Sequence, residues 1–185
     1  MEDFWKMNKI LVLGGCRSGK SGHALQLAES FGRRRIFVAT CVPADAEMQS
    51  RVDRHRRERD DTWQTLEIPF DLTEAVAAHG PAADVILVDC LTLWLSNLLM
   101  DTQEIQKIRN RIDDLAEAVK TARAAVVLVS NEVGAGIVPE NRLARRYRDL
   151  AGWANQSLAA ACDRVDWTVA GIPVTIKPSL RFPAT

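Results

Sequence analysis

Net charge is what this chain lacks first: 24 Lys and Arg side chains are balanced by 24 Asp and Glu. No global field therefore draws it to nucleic acid or to an acidic membrane surface. Long apolar runs are missing as well, and no stretch approaches the roughly 20 residues that span a bilayer. No charged-then-apolar signal segment opens the sequence, so a cytoplasmic location is expected. Cysteine is sparse: Cys16, Cys41, Cys90 and Cys162 are scattered, with no C-x-x-C pair and no metal-ligand spacing. They read as free thiols of a reducing compartment, not as a disulfide framework or a zinc site. Internal repeats, low-complexity tracts and linkers rich enough to divide the chain are absent. Residues 1–185 are therefore expected to form a single domain, long enough to bury its own core. There is no Asn-Lys-x-Asp guanine-reading motif, which argues against a signalling-type GTPase.

What remains is an ordinary globular composition, 47% hydrophobic and 26% charged. Its apolar residues alternate between two periods. Strand candidates are 10–13, 36–39, 85–89, 125–130 and 167–170, mostly continuous and β-branched, as strands covered on both faces should be. Helical spacing of three and four runs through Ile105, Ile108, Ile112, Leu115 and Val119, and again through Leu143, Tyr147, Leu150, Ala154 and Leu158. These predict helices over 103–122 and 142–162. Strands alternating with helices imply an α/β fold, a mostly parallel sheet with helices on both faces. Residues 1–8 read as a loose extension, and 177–185, with two prolines, as a tail.

The most informative segment follows the first strand. Gly14-Gly15-Cys16-Arg17-Ser18-Gly19-Lys20-Ser21 fits G-x-x-x-x-G-K-[ST] at every fixed position. A strand must stop there and turn into a helix while its N–H groups converge on one anion. Gly14 and Gly19 allow the backbone angles and close approach that a side chain would block. The helix beginning near Ser21 adds its positive end. Lys20 would reach the β- and γ-phosphates, and the Ser21 hydroxyl would hold Mg²⁺. The chain reads as a P-loop NTPase-like protein that binds a nucleoside triphosphate.

Ligands of such sheets collect at the carboxyl ends of the strands. That places the phosphate loop, Thr40-Cys41, Asp89 and Ser130-Asn131-Glu132 at one rim. Asp89 closes an apolar strand, where a carboxylate can support Mg²⁺ opposite the loop hydroxyl. It can equally cap a helix starting at Leu91. Both readings stand on the sequence.

Arg51, Arg54, Arg56, Arg57 and Arg59 lie within nine residues, with His55 among them. A solvated helix face, paired with Glu47, Asp53 and Glu58, is the plainest reading. A nucleic-acid patch is the second, opposed by the zero net charge and the lack of interleaved aromatics. The third is chemical. Arginines disfavour the imidazolium form of His55, keeping it neutral and nucleophilic, and they can hold a triphosphate and a departing pyrophosphate. On physical grounds alone the solvated face ranks first. The loop after the fourth strand, 131–141, combines Gly-Ala-Gly flexibility with polar groups, in the manner of segments that close over a substrate.

Four stretches together resemble one family, the bifunctional adenosylcobinamide kinase / adenosylcobinamide-phosphate guanylyltransferases of cobalamin biosynthesis. They are the phosphate loop; Val38-Ala39-Thr40 running to Glu47-Met48; Arg51 through Arg59 continued by Trp63 to Glu67; and Asn131-Glu132-Val133-Gly134 through Asn141, with Arg145, Tyr147, Arg148, Asp149 and Asn155. The resemblance reverses the ranking of the basic run. It implies that His55 is the catalytic nucleophile, carrying GMP on its imidazole after loss of pyrophosphate. It also implies nucleotide contacts at Gly14, Gly15, Cys16, Arg17, Ser18, Gly19, Lys20 and Ser21. Further contacts fall on Ala39, Thr40, Cys41, Arg56, Arg57, Glu58, Arg59, Glu67 and Asp89.

Lys20 is expected to be catalytic beside His55, Ser21 and Asp89 to hold the metal, and Mg²⁺ to act with ATP and GTP as substrates. A corrinoid acceptor and a homotrimeric assembly are implied by the same resemblance, with no nucleic-acid partner and no membrane span. The runner-up function is a P-loop small-molecule kinase without nucleotidyl transfer. A polynucleotide-coupled ATPase using the arginine run ranks third.

Overall fold

A computed structural model describes residues 7–43, 45–46, 56 and 59–178. The expected nucleophile His55, together with Arg57 and Glu58, lies outside the described residues, as do 1–6 and 179–185.

Seven strands form one sheet in the order β3-β2-β4-β5-β1-β6-β7. They are β1 (Lys9–Gly14), β2 (Arg35–Ala39), β3 (Trp63–Glu67), β4 (Val85–Asp89), β5 (Ala125–Asn131), β6 (Arg164–Val169) and β7 (Ile172–Lys177). Every pairing is parallel except β6 with β7. The described helices are α1 (Lys20–Glu29), α2 (Leu72–His79), α3 (Leu91–Asp101), α4 (Ile105–Thr121) and α5 (Arg142–Ala161). The expected α/β architecture is present.

Alternate residues of the central strands supply two cores. Leu11, Val38, Ile86, Val88, Val126 and Leu128 pack with the apolar faces of α2 to α5. Ile10, Val12, Phe37, Leu87, Val127 and Val129 pack with Ala24 and Ala28 of α1 on the other side. Burial on both faces is why these strands are apolar at every position. On α4, the spacing read from the sequence is the buried stripe: Ile108, Ile112, Leu115 and Val119 are all buried. Each such side chain contributes about 1.5–3 kcal/mol relative to exposure.

The ends of the chain depart from expectation. The strand expected at 167–170 begins at Arg164, because Asp166, fully buried, is satisfied inside it. The Asp166 carboxylate accepts from Arg164 Nε and Nη2, both at 2.8 Å, and from Thr175 Oγ1 at 2.8 Å. It also lies 2.7 Å from His23 Nε2 of α1. Residues 172–177 form an edge strand, β7, which tolerates Pro173 because it pairs on one side only. Lys177 is thus anchored and not part of a tail. Its Nζ donates to the carbonyls of Ala159, Ala160 and Cys162, closing the end of α5.

At the opposite end of the sheet, Asp84 accepts from the backbone N–H groups of Arg33 and Arg34 and from the Arg34 guanidinium. The guanidinium bonds foremost, then the Arg34 amide, hold this carboxyl down at about 2. A folded pKa below the unfolded value of about 3.9 means that the stabilisation is complete above roughly pH 4 and lost as pH falls toward 2. Asp84→Asn should therefore lower the melting temperature at pH 6. The gap from the unsubstituted protein should narrow steadily between pH 4 and pH 2 in a circular-dichroism pH series, and a pH-independent gap would refute the assignment.

Candidate active site

The phosphate loop has the geometry its spacing requires. β1 ends at Gly14, and a Cβ there would stand 2.4 Å from Ser18 Oγ and 2.7 Å from the Thr168 carbonyl. Gly19, at φ 91°, occupies the left-handed region as the N-cap of α1. No side chain caps this helix, so its leading N–H groups are left for an anion. Lys20 Nζ reaches across the loop to the Gly15 carbonyl at 3.1 Å. The β6–β7 turn, with Ala170 and Gly171 both at positive φ, lies against the loop, where Gly171 N–H donates to the Ser18 carbonyl at 2.9 Å.

Asp89 ends β4 and is half-buried. The N-cap position of α3 belongs to Cys90, not to Asp89. Asp89 stands one residue before that cap, at the carboxyl end of β4. Thr40 and Cys90 stitch this rim together: Thr40 Oγ1 donates to the Cys90 carbonyl at 2.7 Å and accepts from its N–H at 2.9 Å. The Thr40 carbonyl accepts from Asn97 Nδ2. The Thr40 hydroxyl thus ties the end of β2 to the residue after β4, and its carbonyl ties it to α3.

Burial pushes the Cys90 thiol up to about 11, with the Asp89 charge adding to it and the Lys20 charge opposing it. Burial also raises Cys41, leaving a neutral thiol in the wall beside the rim.

Of the basic run, Arg56 and Arg59 are described. Arg56 Nη2 lies 3.3 Å from Glu67 Oε1 at the end of β3, and the Arg59 guanidinium stacks 3.6 Å over the Phe37 ring. The Arg56–Glu67 pair is exposed on both sides, so it contributes little energy. Its importance is positional: Arg56 stands beside the carboxyl end of β3. Glu67 and the phosphate loop are nevertheless not adjacent. Four strand spacings separate β3 from β1, about 19 Å along the sheet.

Sequence reasoning placed Asn131 at the rim but gave it no role, and passed over Thr92 altogether. Asn131 Nδ2 donates to Thr92 Oγ1 at 3.2 Å, and the Asn131 carbonyl accepts from Asn155 Nδ2. Asn155 Oδ1 in turn accepts from Ser130 Oγ at 2.7 Å, and Tyr147 Oη donates to the Thr92 carbonyl. Arg148 donates to the Gly134 carbonyl. The signal was a polar face on α5, with Tyr147 and Asn155 eight residues apart within an otherwise apolar stripe.

A mostly parallel sheet with a glycine-bounded loop after its first-strand terminus, and a carboxylate at the end of a strand two places away, defines a P-loop NTPase-like protein. The comparisons with known proteins narrow that class. The family profile described as cobinamide kinase / cobinamide phosphate guanyltransferase matches residues 10–176. The bifunctional adenosylcobalamin biosynthesis protein CobP of Pseudomonas aeruginosa is 43% identical over 167 residues, covering 90% of this chain and 96% of that protein. Bifunctional adenosylcobalamin biosynthesis proteins CobU of Escherichia coli K12 and of Salmonella typhimurium are each 42% identical over 180 residues, covering 91% of this chain and 99% of theirs. The chain belongs to the cobinamide kinase / cobinamide phosphate guanyltransferase family. The resemblance read from four sequence stretches is thus borne out, as are the bifunctional enzyme class and the place in cobalamin biosynthesis.

Proposed function

We propose that residues 1–185 act as one catalytic domain that performs two successive transfers. In the first, the aminopropanol hydroxyl oxygen of adenosylcobinamide attacks the γ-phosphorus of ATP or GTP. The bond to the β,γ-bridging oxygen breaks and the nucleoside diphosphate leaves. In the second, an imidazole nitrogen of His55 attacks the α-phosphorus of GTP and pyrophosphate departs. The phosphate of the phosphorylated substrate then displaces His55 from that phosphorus, breaking the P–N bond and giving adenosylcobinamide-GDP. Dividing nucleotidyl transfer into two displacements is covalent catalysis.

The observation that carries this reading is that β1 and β4 flank β5 in parallel, which sets Lys20 at the uncapped start of α1 and Asp89 at one carboxyl rim, in a chain of this family. Gly14 through Ser21 cradle phosphates, with Lys20 neutralising them. Ala39, Thr40 and Cys41 form the adjoining wall, and Arg56, Arg57, Glu58, Arg59 and Glu67 receive the guanylyl-transfer nucleotide. Among the described residues no group of three or more His, Cys, Asp or Glu side chains could hold a metal ion unaided. One hydroxyl and one carboxylate, Ser21 and Asp89, fit Mg²⁺, which takes most of its ligands from phosphate and water. There it would offset charge on the phosphates.

The assembly implied by the resemblance is a homotrimer. An apolar face on the β6–β7 hairpin supports self-association: Trp167, Val169, Ile172, Val174 and Ile176 are each 43–66% exposed, and cross-strand pairing puts them on one side. No described helix is long and apolar enough to cross a membrane, and we assign the enzyme to the cytoplasm, with no nucleic-acid partner.

Incubation with α-labelled GTP tests the reading. Label should attach to the protein in up to one equivalent per chain and pass to the corrinoid when phosphorylated substrate is added. A protein that phosphorylates adenosylcobinamide without taking label would be the small-molecule kinase instead.

A further inference from the structure

β5 runs between β1 and β4 and ends in a side chain that the nucleotide sites leave unused. In register, Asn131 stands opposite Gly14, the first residue of the phosphate loop, and Val129 stands opposite Asp89. Asn131 therefore sits between the phosphate cradle and the Asp89 strand, farther toward the carboxyl rim than Asp89. Its position is fixed from two sides: Nδ2 donates to Thr92 Oγ1 at the start of α3, and its carbonyl accepts from Asn155 Nδ2 of α5. The remaining side-chain polar atom, Oδ1, is buried and finds no hydrogen-bond partner among the described residues. An amide oxygen in that condition is unfavourable unless something else uses it.

Its chemistry says what that something is. Phosphate oxygens are acceptors, and the loop N–H groups with Lys20 already supply donors for them. A carboxamide oxygen cannot pair with phosphate; it needs a donor. The partner brought to this rim in the kinase step that carries a donor next to the γ-phosphate is the attacking alcohol.

We propose that Asn131 Oδ1 accepts a hydrogen bond from the acceptor hydroxyl and orients its oxygen toward the γ-phosphorus. The inference rests on the kinase half of the proposed function. As the hydroxyl oxygen bonds to γ-phosphorus, the bond to the β,γ-bridging oxygen breaks and its electron pair leaves with the nucleoside diphosphate. The hydroxyl proton passes to an oxygen of the transferred phosphoryl group, and the carboxamide takes none. A loose transition state of this type asks for positioning more than for a strong base. Asn131 is then a catalytic residue of the kinase step alone, because the imidazole attack on α-phosphorus involves no acceptor alcohol.

Asn131→Ala separates the two activities. Corrinoid phosphorylation should fall about 10²-fold in kcat, the loss typical of a misplaced nucleophile, with the nucleotide KM within about twofold. Labelling of the same protein by α-labelled GTP should retain the stoichiometry of the unsubstituted protein. Unchanged phosphorylation would overturn the proposal, and so would an equal loss of both activities in a protein with a native melting transition. Should the alanine variant fail to fold, Asn131→Ser is judged by the same pair of measurements. Failure of the underlying function would show earlier, as absent corrinoid phosphorylation by the unsubstituted enzyme.

Discussion

Lys20→Ala will sharply lower corrinoid phosphorylation and GMP labelling together while the protein keeps its fold. Lys20 Nζ makes its contact with the Gly15 carbonyl and helps close no core, and alanine suits the first turn of α1 at least as well as lysine. The loop itself is shaped by Gly14, wedged against Ser18 and Thr168, and by Gly19 at positive φ. What disappears is a cation aimed at the phosphates in a cradle of backbone N–H groups. Losing one such preorganised charge lowers turnover by roughly 10²–10³-fold. The measurements are initial rates with γ-labelled ATP and labelling with α-labelled GTP, beside far-UV circular dichroism. One result would divide the site: a folded variant that lost the kinase yet labelled normally. Because Glu67 and Arg56 lie about 19 Å from the loop, that outcome would assign guanylylation to the β3 end of the rim and leave the loop to the kinase.

Both the sheet and its rim were legible because they rest on strong local signals. β1, β2, β4 and β5 are covered on both faces, so burial writes itself into the sequence as unbroken apolar runs. α4 and α5 each bury only one face of the helix, so theirs appears as a stripe. The phosphate loop is readable since backbone geometry admits only glycine at Gly14 and Gly19. The elements that escaped follow other physics. β3 is an edge strand of five residues, half exposed and alternating in polarity. β7 contains Pro173, which an edge tolerates and a central strand does not. β6 hides its first half behind Asp166, a charge that belongs in a strand only because Arg164, Thr175 and His23 surround it. α3 follows β4 after a single residue, so its apolar face merges with the strand's run in the sequence.

The site residues divide along the same line. Lys20, Ser21 and Asp89 announce themselves by position in a motif or at a strand end. Thr92, Asn131 and Asn155 form a polar web from three elements distant in sequence, and no local spacing can reveal such a contact. Composition alone could not choose between solvated face and active site for the basic run either. Of its described residues, Arg56 pairs with Glu67 at the end of β3 and Arg59 stacks on Phe37 of β2, contacts that no composition reveals.

His55→Ala should eliminate labelling from α-labelled GTP and formation of adenosylcobinamide-GDP, while phosphorylation of adenosylcobinamide remains measurable. The arginines that flank His55 in sequence, Arg54, Arg56, Arg57 and Arg59, would neutralise the triphosphate that an imidazole at this position attacks. Lys20, Ser21 and Asp89 are untouched by the substitution, which is why the kinase half should survive it. The two activities therefore give opposite results in His55→Ala and Asn131→Ala, each substitution sparing what the other removes. The bond itself offers an independent check. Phosphorus bound to an imidazole nitrogen is labile in acid and stable in base, whereas a serine or threonine ester shows the reverse ranking. Label on the unsubstituted enzyme should leave in mild acid and survive alkali. Acid-stable, base-labile label, or full labelling of the His55→Ala protein, would remove His55 from the mechanism and move the covalent step to a hydroxyl.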